Sequence, residues 1–322
     1  MDRRAFIGTL AGGLLVAPLA AEAQPTEKVA RIGFLQRQRN ENVTAFTQGL
    51  QEAGYVESRN LALEIRIYGG KEDTLPRLAA ELVFLKCDVI VAASPYAITA
   101  AWNATRTVPI VGVDLESDPV ANGWARSRSQ PGGNVMGEFL DLPELGGKQI
   151  QLLREVVPEV ARVAVLWDAT IGQVQVRATE AAARTARVQA QSLGMRLAAD
   201  LPEAFARAVR AHAQGMIVLS SPILLGLREE ISKLALTHHL PAISLFTSYP
   251  PAGALMAYGP NLAEMYKRLA IYVDRILKGE RPSDLPIARP TRFDLVINLK
   301  TAKALGLTIP PSLLQRADQV IE

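Results

Sequence analysis

Cysteine and histidine are scarce in this sequence: one cysteine and three histidines among 322 residues. The lone Cys87 excludes an internal disulfide framework and any cysteine-based metal cluster. His212, His238 and His239 are too few and too clustered for a zinc centre. Charge of one sign is also missing. Thirty-five basic side chains against 32 acidic ones leave a net charge of only +3, so no basic field for nucleic acid is expected. Beyond the N-terminus there is no apolar run of about 20 residues, the length that a membrane-spanning helix needs. Catalytic signatures are absent too. The sequence has no Gly-x-Ser-x-Gly elbow, no Walker phosphate loop and no Gly-x-Gly-x-x-Gly after a strand. No catalytic residue, metal or cofactor is therefore expected. Aromatic residues make up only 6% of the chain, so each one counts either as core or as a ligand contact.

What is present describes a globular chain with ample core: 49% hydrophobic and 21% charged residues. Its length is about twice that of a usual single domain, which predicts two lobes. The N-terminus reads as an export signal. Asp2, Arg3 and Arg4 precede an apolar run from Ala5 to Ala20, closed by the small-x-small site Ala21-Glu22-Ala23. Arg3-Arg4 also fits a twin-arginine pattern. Residues 1–23 are thus expected to be a signal peptide, with a mature chain beginning near Gln24. No cysteine follows that site, so a lipid anchor is not indicated.

The chain then repeats itself. Val29-Ala30-Arg31-Ile32-Gly33-Phe34-Leu35 returns as Val160-Ala161-Arg162-Val163-Ala164-Val165-Leu166. Asp88 to Pro95 returns as Gly215 to Pro222, and Val108-Pro109-Ile110-Val111 is echoed by Leu240-Pro241-Ala242-Ile243. Each is a short, β-branched apolar run bounded by turn residues, the pattern of a strand buried on both faces. Helical stretches lie between them: Asn42 to Ala53 before Gly54, and Val174 to Leu193 before Gly194. Alternating strands and helices predict parallel sheets with right-handed crossovers. Two copies in one order predict two similar α/β lobes. A long amphipathic helix from Leu262 to Lys278, a strand from Asp294 to Asn298 and a short helix to Leu305 follow, which suggests that the chain crosses between lobes more than once.

Ligands of open α/β sheets bind beyond the carboxyl ends of the strands. Two Ser-Pro steps stand at such ends, Ser94-Pro95 and Ser221-Pro222, the second preceded by Ser220. Serine followed by proline starts a helix, whose free N–H groups suit a carboxylate; plain helix capping needs the same residues. Tyr96, Trp167, Phe246 and Tyr249 stand near strand ends where a ring can stack on a ligand, and Tyr258 is a weaker candidate. Asp168 follows Trp167. Asp118, beyond the fourth strand, either pairs with a ligand amine or caps the helix that begins at Pro119.

Several segments resemble a known family. They include Phe46-Thr47-Gln48-Gly49-Leu50, Gly54-Tyr55-Val56-Glu57, Asp118-Pro119-Val120 and Pro131-Gly132-Gly133-Asn134-Val135. Most specific are the closing segments, Tyr272 to Gly279, Pro282 to Pro286 and Phe293 to Ala302. Together these resemble the ABC transporter substrate-binding proteins of the group with tryptophan- and tyrosine-binding members. The resemblance implies a type I periplasmic binding-protein fold: lobe one from residues 28–139 and 254–285, lobe two from 140–253 and 286–322, and a multi-strand hinge. It implies an extracytoplasmic, non-enzymatic protein that delivers a small molecule, an amino acid as first expectation, to the permease and ATPase subunits of an importer. Neither nucleic acid nor a membrane span is part of that expectation. A sensory binding protein presenting its ligand to a membrane receptor is the alternative, and an exported α/β enzyme is a more distant one. In amino-acid-binding relatives a Gly-Thr-Pro loop grips the ligand carboxylate. Here Ala93-Ser94-Pro95 keeps a hydroxyl but lacks the glycine. By the same resemblance Asp118 is the expected amine partner, and the strand-end reading sets Ser94, Pro95, Tyr96, Trp167, Asp168, Ser220, Ser221, Phe246 and Tyr258 around the ligand.

Overall fold

The computed structural model describes residues 29–322 other than 141 and 172. The expected signal peptide, residues 1–23, lies outside the described residues. The first lobe opens with β1 (Ala30–Gln36), α1 (Glu41–Glu52), β2 (Leu61–Ile67), α2 (Leu75–Phe84), β3 (Val89–Ala93), α3 (Pro95–Ala104), β4 (Ile110–Asp114) and β5 (Val135–Phe139). The chain crosses to the second lobe after Leu140. There it forms α4 (Leu142–Val156), β6 (Arg162–Asp168), α5 (Val174–Thr185), β7 (Gln189–Met195), α6 (Leu201–Arg210), β8 (Gly215–Val218), α7 (Pro222–Gly226), α8 (Arg228–Thr237), β9 (Ala242–Ser244) and β10 (Met256–Pro260). It returns to the first lobe for α9 (Leu262–Leu277) and β11 (Ile287–Ala288). It ends in the second with β12 (Phe293–Asn298), α10 (Leu299–Ala304), α11 (Pro311–Leu314) and β13 (Gln319–Ile321).

The two sheets are ordered β11-β5-β4-β3-β1-β2 and β13-β12-β10-β9-β8-β6-β7. Their first five strands in chain order share one arrangement, 2-1-3-4-5 against 7-6-8-9-10. The three sequence repeats fall on β1 and β6, β3 and β8, and β4 and β9. All strand pairs are parallel except β10 with β12. The strands β3, β4, β5 and β8 are buried along their whole length. That is why β3 and β8 read as unbroken apolar runs, and β4 and β5 as runs broken only by the buried Asp114 and Glu138. Each fully buried Val, Leu or Ile contributes roughly 1.5–3 kcal/mol of transfer free energy.

Three expectations change. The helix predicted from Val174 to Leu193 stops at Thr185, and Gln189–Met195 is the strand β7, paired with β6 along its full length. The alanine-rich sequence concealed a turn at Ala186-Arg187, where Arg187 takes a φ of 57°. Residues 256–260, expected in lobe one, are β10 of the second sheet, held between β9 and β12. Ile287–Ala288, expected in lobe two, pairs with Gly137–Glu138 of β5 in lobe one. The crossings therefore lie after Leu140, after Pro260 and between Ala288 and Phe293.

The return helix α9 is bound firmly to lobe one. Arg268 forms an ion pair of 2.8 Å with Glu138 of β5, and Tyr55 donates to Asp274 at 3.1 Å. Burial outweighs the neighbouring guanidinium at Glu138 and raises its pKa to about 7.

Candidate functional site

In both sheets the strand order reverses beside the first strand of the lobe, at β1 with β3 and at β6 with β8. An open sheet leaves a crevice at that point, beyond the strand carboxyl ends. The two crevices face each other and enclose a cavity with an empty volume of about 750 Å3 that is partly open to solvent. Lobe one supplies Gln36 at the end of β1 and Arg37 after it, Tyr68 after β2, Ser94 after β3, and Leu115 and Glu116 after β4. Leu262 and Tyr266 enter from α9, which reaches the cavity only because the chain returns to lobe one. Lobe two supplies Pro222, Leu225 and Gly226 from α7, and Phe246 after β9.

The lobes touch around this cavity. Ser220 Oγ donates to Glu116 Oε1 from the opposite lobe. Tyr96 Oη meets Thr170 Oγ1 at 2.6 Å. Thr170 Oγ1 donates to Asp168 Oδ1 at 2.5 Å, so the phenol is the donor in the cross-lobe bond. Arg37 reaches across to Gly226, where a β-carbon would stand 3.4 Å from Nη2.

The Ser-Pro steps do not play equal parts. Ser94 lines the cavity, caps α3 through Ala97 N at 3.3 Å, and lies 3.3 Å from the Tyr68 hydroxyl. Its φ of 105° is one that an L-residue rarely adopts, a strain of order 1–3 kcal/mol. The site therefore holds a serine in a glycine-like conformation. Pro95 is buried as the first residue of α3. Ser221 is fully buried: it accepts from Ile223 N and Leu224 N and donates to Asp168 Oδ2 at 2.6 Å. The peptide of Ser220 is clamped by the Gln175 side chain, at 2.9 Å through its N–H and 2.8 Å through its carbonyl. Tyr96, Asp168, Ser220 and Ser221 thus form a seam beside the cavity, while Ser94 and Phe246 face into it. Burial raises the Tyr96 phenol to about 12, so it stays protonated and able to donate at neutral pH.

Three expected residues stand elsewhere. Asp118 caps its own turn, accepting from Val120 N at 2.9 Å, and does not line the cavity. Trp167 lies over Gly194 of β7, because odd positions of β6 face away from the crevice side that carries Asp168. Tyr258 stacks on Phe293 at 5.7 Å beside the lobe crossings and lines a separate depression with Arg289 and Pro290.

The polar cavity residues that sequence reasoning missed are Gln36, Arg37, Gln38, Asn40, Asn42, Tyr68, Glu116 and Tyr266. Glu116 lies two positions before the expected Asp118. It is 5% exposed, accepts from Leu115 N at 3.3 Å, and adjoins the equally buried Asp114. Asp114 Oδ1 accepts from Glu116 N at 2.8 Å and Ser117 N at 3.2 Å. Burial first, and then the Asp114 charge, push Glu116 well above the usual carboxylate range. The pair therefore binds a proton more tightly than free carboxyl groups do. The available signal was the pair Asp114 and Glu116, acidic residues closing and following an otherwise apolar strand. Among the described residues no group of three His, Cys, Asp or Glu side chains is placed to hold a metal ion, and no helix is long and apolar enough to cross a membrane.

Comparison with known proteins agrees with this geometry. A family profile described as ABC transporter substrate binding protein matches residues 28–321. A tyrosine-binding protein of Clostridioides difficile (strain R20291) is 24% identical over 272 residues, 81% of this chain and 75% of that protein. Among solved structures, a conserved domain protein of Vibrio cholerae superposes with a TM-score of 0.84 at 26% identity, covering 91% of this chain and all of the other. An ABC domain of Streptococcus pneumonia in complex with L-Trp gives a TM-score of 0.82 at 21% identity, covering 91% and 99%.

Proposed function

The chain belongs to the family of ABC transporter substrate-binding proteins, and from that premise we propose that it captures a small solute between its lobes and hands it to a membrane permease driven by an ATPase subunit. The proposed site of action is outside the cytoplasm, and the protein binds without turnover. One observation carries the reading: the cavity lies at the paired strand ends of both lobes, and polar contacts that exist only when the lobes meet surround it. A solute that touches both lobes favours the closed arrangement by its differential affinity for it. The tyrosine-binding relative and the L-Trp complex make aromatic amino acids the first solutes to test.

The test is a thermal-shift screen against amino acids, carboxylates, sugars and nucleosides, with small-angle scattering on any solute that shifts the melt. Binding contributes about 2.7 kcal/mol at a hundredfold excess over Kd. A shift with a smaller radius of gyration and an unaltered solute is the expected result. Chemical conversion of the solute would instead make the protein an enzyme.

The seam predicts its own effect. Tyr96→Phe removes the cross-lobe bond to Thr170 without opening a void. A net hydrogen bond of about 1 kcal/mol corresponds to roughly a fivefold loss of affinity, with the melting temperature of the free protein little changed. Titration calorimetry on both variants checks it, and equal affinities would remove Tyr96 from the closing contacts.

A further inference from the structure

Three crossings join the lobes, and the side chain of Arg268 links two of them. Glu138 stands on β5, two residues before Leu140, where the chain first crosses, and it is fully buried. Arg268 Nη2 approaches Glu138 Oε1 at 2.8 Å, yet neither carboxylate oxygen receives an aligned hydrogen bond. The other nitrogen of the same guanidinium, Nη1, donates to Thr291 Oγ1 at 3.0 Å. Thr291 lies in the third crossing, between β11 and β12. The helix that carries Arg268, α9, begins directly after the second crossing, capped by Asn261.

The second and third crossings are already tied to each other. Asn261 donates through its N–H to the Arg292 carbonyl at 3.0 Å and through Nδ2 to Asp294 Oδ2 at 2.6 Å. On the lobe-one side, Tyr272 Oη donates to the Pro286 carbonyl at 2.9 Å, and β11 pairs with β5. The bond to Thr291 fixes the third crossing between these two anchorages, and a hinge turns on only a few residues. Arg268 keeps its place because Glu138 holds its charge. Deprived of that counter-charge, a guanidinium turns its head to water, and Arg268 is already 27% exposed. The groups facing Glu138 from α9 are Arg268, Glu264 and Tyr272. Its strand neighbours Val113 and Ala288 carry no charge. Arg128 donates to the adjoining Phe139 carbonyl at 3.3 Å, and Asp284 is paired with Arg281 at 2.8 Å. Burial and Glu264 disfavour the carboxylate more than Arg268 favours it, which sets its pKa at about 7.

We propose that Arg268 is a positioning residue for lobe closure: clamped by Glu138, it pins Thr291 of the third crossing and so limits how far the lobes swing apart. Acid protonates Glu138, releases the clamp and lets the lobes open wider. This rests on the solute-binding reading above and adds a control remote from the cavity, since Glu138, Arg268 and Thr291 do not line it. A solute must close whatever opening the free protein adopts, so affinity falls as the open state widens. Glu116 works in the opposite sense, because its proton is lost as pH rises.

The experiment is small-angle scattering on the purified, unliganded protein across the acid-to-neutral range, with melting temperatures beside it, for the parent, Thr291→Val and Glu138→Gln. The parent is expected to gain radius of gyration as pH falls through about 7. Thr291→Val keeps the ion pair and loses only its link to the crossing. It should show the wide radius at every pH, with the melting curve of the parent. Glu138→Gln should show the wide radius and no step, and its melt reports whether it folds. The clamp is overturned by a parent radius that does not change with pH, which would leave the ion pair to stabilise lobe one alone. It is equally overturned by a Thr291→Val protein that follows the parent. If L-tryptophan or another screened solute contracts the protein in either of those cases, the clamp fails while the solute-binding reading stands. If parent and variants behave as expected and no screened solute contracts them, the clamp stands and the solute-binding reading fails.

Discussion

Gly137→Ala is expected to leave little folded protein. Gly137 stands at the centre of β5 opposite Gly112 of β4, with a φ of 131°. A β-carbon there would lie 2.0 Å from the Gly112 carbonyl oxygen and 2.8 Å from its nitrogen. The strand neighbours cannot yield, because Gly112 is itself packed against Ile98 and the Phe139 ring, with 2.9–3.0 Å left for any β-carbon of its own. Backbone strain of about 1–3 kcal/mol adds to overpacking of similar size. The sum, roughly 2–6 kcal/mol, is a large fraction of a domain's stability. The strand pair β4–β5 also carries Glu116 and the first crossing, so binding should fall with folding. Urea denaturation followed by circular dichroism checks this. A midpoint within experimental error of the parent protein would show that β4 and β5 are less closely joined than described.

Stability is expected to fall as pH rises out of the ordinary carboxylate range, and Glu116→Gln should remove much of that slope. The sign follows from linkage. Glu116 is raised well above its unfolded value, by burial first and then by the Asp114 charge. Asp114 is raised mainly by its own burial. The folded state therefore binds the proton more tightly than the unfolded state. Its contribution is complete below the unfolded carboxylate pKa and is lost as pH climbs through the raised folded value. Each unit between those two values is worth about 1.4 kcal/mol. The other ionisable neighbours, Tyr68 and Tyr266, are themselves raised by burial and stay neutral across this range. Glutamine keeps an acceptor for Ser220 and offers an N–H to Asp114 Oδ2, which has no hydrogen-bond partner. Melting temperatures of parent and variant across the acid-to-neutral range test this. Parallel curves would mean that Glu116 ionises as freely when folded as when unfolded. Because Ser220 comes from the other lobe, affinity for a bound solute should show the same pH trend.

Much of the fold was legible because its signals are local. The three repeated runs fell on matching strands of the two sheets, since a strand covered on both faces must be apolar throughout. The long helix was expected from Leu262 to Lys278 and spans Leu262–Leu277. Asn298 opens the short helix after β12 by accepting from Thr301 N. Signals failed where two structures share a composition. The alanine-rich segment from Val174 contains a helix and then a strand, and only the pairing of β7 with β6 separates them. Likewise, Met256–Pro260 and Ile287–Ala288 are short apolar stretches whose sheet is chosen by available edges rather than by their own residues.

For the site, sequence by itself determined the strand ends at which a ligand must lie, and it brought Ser94 and Phe246 to the cavity wall. It also placed the chain among two-lobed binding proteins through motifs that run the length of the chain. Tertiary structure alone decided which neighbouring residue faces inward: Glu116 instead of Asp118, and Gln36 and Arg37 where no motif marked them. Only the return of α9 to lobe one carries Leu262 and Tyr266 to the cavity. Periodicity records which face of an element is buried, a property of each segment separately. The cavity is made where two lobes meet, and the charge state of Glu116 follows from the water that meeting excludes. Neither is written in any one segment.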